Sequence, residues 1–247
     1  MPVLKRVCSM GRVVVLLSGG LDSATTLAFV ISRGMEACAL SFDYGQRHRR
    51  ELESGRRIAE HYGVRREIFR MDFSFARNSS LTSSLDVEDR PLEKIGDDIP
   101  ATYVPARNSV FLSIGSAYAE ALGCDSVAIG ANALDYSGYP DCRPEYMNAM
   151  ERALNLGTRI GTNGGLKIMV PLQFLTKKEI IGLGLSLQVP FGLTRSCYRD
   201  NEKACGRCDS CKLRLKGFME AGAEDPAAYQ TLPGFYLDYL EKRKGSQ

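Results

Sequence analysis

VVVLLSGGLDSATTLAFV, Val13 to Val30, decides the fold. Five apolar residues, Val13 to Leu17, run into a glycine pair, and the apolar spacing then becomes that of a helix. Strand, tight turn and helix in that order is the layout of a phosphate-binding loop, because N–H groups at a helix start point at an anion and the helix dipole favours it. A Walker A loop would end in a Lys-Ser/Thr pair. Here the stretch offers Asp22, a carboxylate that by itself repels phosphate. Mg²⁺ removes the conflict, since it is held by one or two carboxylates together with phosphate oxygens. Asp22 is therefore read as a catalytic, metal-facing residue. The plainer reading is a first-turn aspartate favoured by the dipole. The hydroxyls of Ser18, Ser23, Thr25 and Thr26 shift the balance, as they add donors to a set that can wrap a pyrophosphate.

Working outward, strand and helix patterns alternate. Strands are predicted over Ala37–Phe42, Arg65–Phe69, Ser126–Ile129 and Lys167–Val170; helices over Arg47–Tyr62, Ser109–Leu122 and Glu145–Leu156. Thr176 and Glu179 form a capping box that opens another helix. Such alternation predicts a doubly wound α/β fold with a mostly parallel sheet. Its ligand lies outside the carboxyl ends of the strands. SGGLDS, DYGQRHRR and GANALDYSGYPDCRPEY should meet there. Residues 71–108 break the pattern with Ser, Asn, Asp and Pro, which suits a lid or a floppy insertion. Their second half, IPATYVPARNS, carries aromatic and cationic residues and points to function.

The chain has 247 residues, 44% of them hydrophobic, which allows one large α/β domain or a domain with a small appendage. A net charge of +3, from 32 basic and 29 acidic residues, does not announce a nucleic-acid partner. No apolar run approaches a membrane span, and MPVLKRVCSMGR lacks an apolar core of signal-peptide length. A cytoplasmic protein is expected, with Met10 as a second possible start and residues 1–9 as a loose tail. Eight cysteines divide into two groups. Cys8, Cys38, Cys124 and Cys142 are scattered, as suits reduced thiols. Cys197, Cys205, Cys208 and Cys211 can supply four thiolates from one short segment, and a closed tetrahedral sulfur set suits structural Zn²⁺. An iron–sulfur cluster or unliganded thiols are the alternatives. Lys203, Arg207 and Lys212 lie close enough in sequence to offset the thiolate charge. The expected division is a nucleotide-binding core over 1–192 and a zinc-binding helical region over 193–247.

SGGLDS after a first strand resembles the signature of the N-type ATP pyrophosphatases, which split ATP between the α- and β-phosphates and share a Rossmann-like, adenine nucleotide alpha hydrolase-like fold. Five further blocks, SFDYGQRHRRE, TYVPARN, GANALDYSGYPDCRPEY, LTRSCY and CGRCDSCKLRLKGF, are similar to the 7-cyano-7-deazaguanine synthase family, in the family's order, from about Val13 to Pro226. One departure is Ala106, where that family usually has glycine; a methyl there opposes positive φ. The resemblance implies an ATP-dependent ligase of queuosine and archaeosine precursor biosynthesis. It would turn 7-carboxy-7-deazaguanine and ammonia into the nitrile through adenylated intermediates, as a homodimer with no stable nucleic-acid partner. It also implies that the ATP loop is Leu17, Ser18, Gly19, Gly20, Leu21, Asp22, Ser23, Ala24, Thr25, Thr26 and Leu27, and that the four clustered cysteines are zinc ligands. A tRNA-thiolating enzyme of the same fold, or a zinc-containing nucleic-acid-binding regulator, remains as the alternative.

The rest of the site is read from residue chemistry. Arg107 is a catalytic candidate whose fork suits a carboxylate or phosphate. Within Arg47, His48, Arg49 and Arg50, a solvated helix start is the plain reading, yet one of them could reach the phosphates. A deazaguanine presents an N–H beside an exocyclic amine, which a single carboxylate accepts together; Asp135 and Asp141 are the candidates. Tyr103, Tyr136 or Tyr139 could stack on the heterocycle. Nothing in the sequence makes Cys142 a nucleophile.

Overall fold

The computed structural model describes residues 11–96, 98–134 and 139–245. Among them, five strands form one sheet: β1 (Arg12–Leu16), β2 (Glu36–Asp43), β3 (Arg66–Arg70), β4 (Ser126–Ala128) and β5 (Lys167–Met169). Their order is β3-β2-β1-β4-β5, and every neighbouring pair is parallel. The helices are α1 (Leu21–Ser32), α2 (Arg50–His61), α3 (Arg107–Leu122), α4 (Pro144–Gly157), α5 (Arg159–Thr162), α6 (Lys177–Ser186), α7 (Asp209–Glu220) and α8 (Gly234–Lys244). The expected doubly wound, Rossmann-like fold is what the chain adopts.

A central strand covered on both faces is apolar at every position, which is why VVVLL carried no alternation. Val13, Val15 and Leu17 face one core with Ala28 of α1, Ile58 of α2, Ile180 and Ile181 of α6, and Leu215, Phe218 and Tyr236 from α7 and α8. Val14 and Leu16 face the other, with Leu112 and Ala119 of α3 and Met147 of α4. Residues of the 193–247 region thus share the first core with the sheet. The capping box of α6 forms as expected: Glu179 N–H donates to Thr176 Oγ1 at 3.3 Å, and Thr176 N–H to Glu179 Oε2 at 2.7 Å.

Two expectations need correction. The helix expected from Arg47 begins at Arg50, because the backbone first turns around Gln46, whose amide caps Tyr44 N–H and Phe42 O. Residues 71–96 and 98–106 are not a floppy insertion: Phe73, Ala76, Leu81 and Val104 are buried in the second core. The segment is also tied down from outside. Arg47 donates to the carbonyls of Ser83 and Leu85, Arg199 to Val87 O, and Arg90 pairs with Asp209 at 2.7 Å. No helix among the described residues is long and apolar enough to cross a membrane.

Candidate active site

The carboxyl ends of β1, β2 and β4 open into a cavity of about 260 Å³. One end is made by Ser18, Gly20, Asp22 and Ser23 with Lys177 at the first position of α6. Close approach builds this end. Gly19 has φ +106°, and a Cβ there would stand 2.1 Å from Glu51 O, so only glycine lets the backbone of α2 press on the loop. A Cβ on Gly130, just past β4, would stand 2.9 Å from the carbonyl carbon of Asp22. Ser18 and Ser23 hold the turn together: Gly20 N–H donates to Ser18 Oγ at 3.1 Å, and Gly19 N–H to Ser23 Oγ at 3.2 Å. The N–H groups of Leu21, Asp22 and Ser23, in the first turn of α1, have no intrahelical acceptor and, among the described residues, remain for an anion, since Leu17 O and Gly19 O accept from Ser41 Oγ and Arg195 N–H instead.

Thr25 and Thr26 do not join them. Both are fully buried and donate to Leu21 O and Asp22 O, each at 2.9 Å, so their hydroxyls serve the helix. Leu17, Ala24 and Leu27 are likewise buried in the first core and position the loop from behind. Asp22 meets a cation directly: Lys177 Nζ lies 2.8 and 3.0 Å from its two carboxylate oxygens. Lys177 escaped the sequence reading because it stood inside a capping box and looked like an ordinary first-turn residue.

The other end is aromatic and cationic. Phe42 and Phe111 stack at 4.0 Å, and Tyr44 leans on Phe111. Arg107 Nη1 donates to Tyr44 Oη at 3.3 Å, and among the described residues no carboxylate forms a salt bridge with it. Burial opposes its charge, but the Tyr44 and Tyr139 phenols and the Asp141 carboxylate outweigh that and raise its pKa. Burial raises the Tyr44 phenol in turn, against the pull of Arg107. Ala106 keeps the backbone that glycine would give, φ 52° and ψ 23°, in spite of its methyl. That left-handed residue costs about 1–2 kcal/mol, and it turns the chain so that α3 starts at Arg107.

Of the expected substrate residues, Tyr139 lines the cavity and shares a 2.7 Å hydrogen bond with Thr102 Oγ1. Tyr103 does not line it; its hydroxyl accepts from Ala106 N–H at 3.3 Å and shapes the turn before Arg107. Asp141 is buried beside the wall, with Oδ2 accepting from Asn108 N–H at 3.0 Å at the start of α3. Asp135 and Tyr136 lie outside the described residues. Cys142 lines the cavity, but burial pushes its thiol up to about 12, so it is protonated at neutral pH. Within the cationic run, His48 alone lines the cavity, with Nε2 at 2.9 Å from Glu51 Oε2, while Arg50 turns to Asp200.

The four clustered cysteines are buried, and their sulfurs all lie within 4.8 Å of one another. Cys205 Sγ and Cys211 Sγ are 3.9 Å apart. A zinc–sulfur tetrahedron with bonds of about 2.3 Å has edges of about 3.8 Å. Four backbone N–H groups, of Arg199, Cys205, Arg207 and Cys208, point at Cys197 or Cys205 sulfur at 3.3–3.4 Å. Such donors stabilise thiolates, so the donor set fits zinc. Lys212 instead reaches Asp89 and Arg90 O. The cluster sits at the start of α7, which sends Ser210, Leu213 and Arg214 to the cavity wall.

Residues 12–222 match the family described as Queuosine biosynthesis protein QueC. The chain belongs to this family. It is 61% identical to the 7-cyano-7-deazaguanine synthase of Thermoplasma acidophilum over 94% of this chain and 98% of that protein. It is 53% identical to the protein of the same name from Geobacter metallireducens, over 90% of this chain and 94% of the other. Among solved structures, the NMN synthetase of Francisella tularensis is similar with a TM-score of 0.47 at 17% identity, over 97% of this chain and 85% of that one. The QueC match spans the cavity, the cysteine cluster and the segment that ties them together.

Proposed function

We propose that this chain is an ATP-dependent ligase that makes 7-cyano-7-deazaguanine from 7-carboxy-7-deazaguanine and ammonia. The observation that carries this reading is one cavity with an anion-holding helix start at one end and, at the other, a guanidinium among aromatic rings that no carboxylate of the described residues bridges. Relatives named 7-cyano-7-deazaguanine synthase, matched over nearly their whole length, support the product.

The N–H groups of Leu21 to Ser23 hold the phosphates of ATP, and Lys177 neutralises charge next to them. Asp22 would hold Mg²⁺, which would supply positive charge to stabilise the leaving pyrophosphate. Arg107 takes the substrate carboxylate and aims one oxygen at the α-phosphorus. That oxygen attacks and pyrophosphate leaves, giving the acyl adenylate. Ammonia then adds to the acyl carbon, loses one proton and expels AMP, leaving the amide. The amide oxygen attacks the α-phosphorus of a second ATP and pyrophosphate leaves; loss of AMP and two protons then gives the nitrile. Catalysis is by positioning and charge stabilisation, and the protonated Cys142 thiol takes no covalent part. Tyr139 stacks on the heterocycle. Asp135, rather than the engaged Asp141, accepts the N–H and exocyclic amine. Zinc on the four cysteines holds the cavity wall, and the enzyme works in the cytoplasm as a homodimer.

The test is product analysis. AMP and pyrophosphate should form only when ATP meets the carboxylated base, and the nitrile should follow once ammonia is supplied. ATP that persists with the base present would refute the reading, and AMP formed only with tRNA and a sulfur donor would favour thiolation instead.

A further inference from the structure

A second cavity of about 220 Å³ lies behind the first, between α2 and the cysteine-bearing loop. Arg195, Ser196 and Arg214 line both, so the two spaces are separated by one layer of side chains. Its outer rim includes Glu202 and Ala228, both exposed. The proposed reaction requires a small nitrogen nucleophile to reach an acyl carbon while ATP and a flat heterocycle fill the first cavity. The second cavity supplies another way in.

We infer that this second cavity is the entrance for neutral ammonia, with Arg195 and Ser196 as the crossing point; the inference rests on the function proposed above. The chemistry of the wall selects the species. The guanidiniums of Arg50, Arg57, Arg195 and Arg214 share the wall with Glu53, Glu202 and the cluster residues Cys197 and Cys211. The ammonium ion hands its proton to water at the entrance and passes on as NH₃. The nitrogens Nη1 and Nη2 of Arg195 donate to the carbonyls of Arg199, Asn201 and Glu202, but its buried Nε–H has no hydrogen-bond partner among the described residues. That donor needs a lone pair, which ammonia has and ammonium lacks. Ser196 Oγ accepts from Arg214 at 3.3 Å, the longest of that guanidinium's hydrogen bonds, and is the acceptor most easily lent to a passing N–H. Arg214 itself is fixed by Asp225, Thr194 and Phe191 O, so the wall stays in place around the crossing point.

The test plugs the entrance from outside. Ala228→Trp, and separately Glu202→Trp, add bulk on the exposed rim, away from the first cavity. Three rates are read on each purified variant: pyrophosphate exchange into ATP with the carboxylated base, amide formation against ammonium concentration, and conversion of added amide to nitrile. The first and third use no ammonia. The expected result is a several-fold rise in the KM for ammonium with both other rates unchanged. An unchanged ammonium KM in both variants would overturn the inference, and so would a parallel fall of all three rates in both. Wild-type protein with no exchange at all would instead refute the proposed function, and the ammonia route with it.

Discussion

Arg214→Met removes a guanidinium that makes five hydrogen bonds: two to Asp225 at 2.7 and 2.8 Å, and one each to Thr194, Ser196 and Phe191 O. Methionine keeps much of the bulk against the Phe218 ring, over which the guanidinium now lies at 5.6 Å. What is lost is charge compensation. The Asp225 side chain has no exposed surface, and after the change it keeps, among the described residues, Tyr229 Oη and Ala227 N–H as partners. Stranding one member of a buried pair costs about 3–5 kcal/mol, out of a total stability of about 5–15 kcal/mol. For a chain of this size each kcal/mol is worth about 2–4 °C of Tm, so a fall of roughly 6–20 °C is expected. The assay is urea denaturation followed by tyrosine fluorescence and circular dichroism, with zinc content checked first so that metal loss is not mistaken for the effect. The double variant Arg214→Met/Asp225→Leu should recover most of the loss, since a buried pair replaced by apolar side chains is often neutral. A single variant that loses under about 1 kcal/mol, or a double no better than the single, would refute the reasoning.

Ala106→Gly should stabilise the protein by about 1 kcal/mol, seen as a modest rise in Tm, because it relieves a left-handed alanine; a lower Tm would mean that the methyl contributes packing outweighing its strain. Cys208→Ser should lose zinc and soluble yield together, as a structural site contributes folding energy. Cys142→Ser should keep zinc, and the wild-type Cys142 thiol should resist alkylation at neutral pH, reacting faster only as pH climbs toward about 12. Rapid neutral labelling of Cys142 in the folded protein would contradict its burial. Asp22→Asn should abolish turnover and magnesium dependence while the far-ultraviolet circular dichroism is unchanged; near-normal turnover would reduce Asp22 to a helix-start residue.

The parts of the molecule that were legible are those whose physics is local. VVVLL is buried on both faces, the glycine pair after it makes a tight turn, and Thr176 caps its own helix. The cysteine cluster also reads locally, since its ligands fall in one short segment. Residues whose role depends on a distant partner were not legible. Thr25 and Thr26 looked like phosphate donors because the carbonyls that satisfy them appear only once α1 is formed. Lys177 becomes part of the site only through Asp22, far away in sequence. His48 was one of four cations until α2 began after it and left its ring buried beside Glu51. Residues 71–108 read as irregular because Phe73, Leu81 and Val104 are spaced for a packed loop, with neither helical nor strand period.

Conversion of the amide is the most direct measurement of the central claim. Purified protein is given 7-amido-7-deazaguanine, ATP and Mg²⁺ with ammonia withheld, and the products are read by mass spectrometry. The nitrile should appear together with AMP and pyrophosphate, because the remaining steps need only a second adenylation and the loss of two protons. Amide that stays intact in protein competent to make it from the acid would show a simple amide ligase, and the proposed function would be wrong.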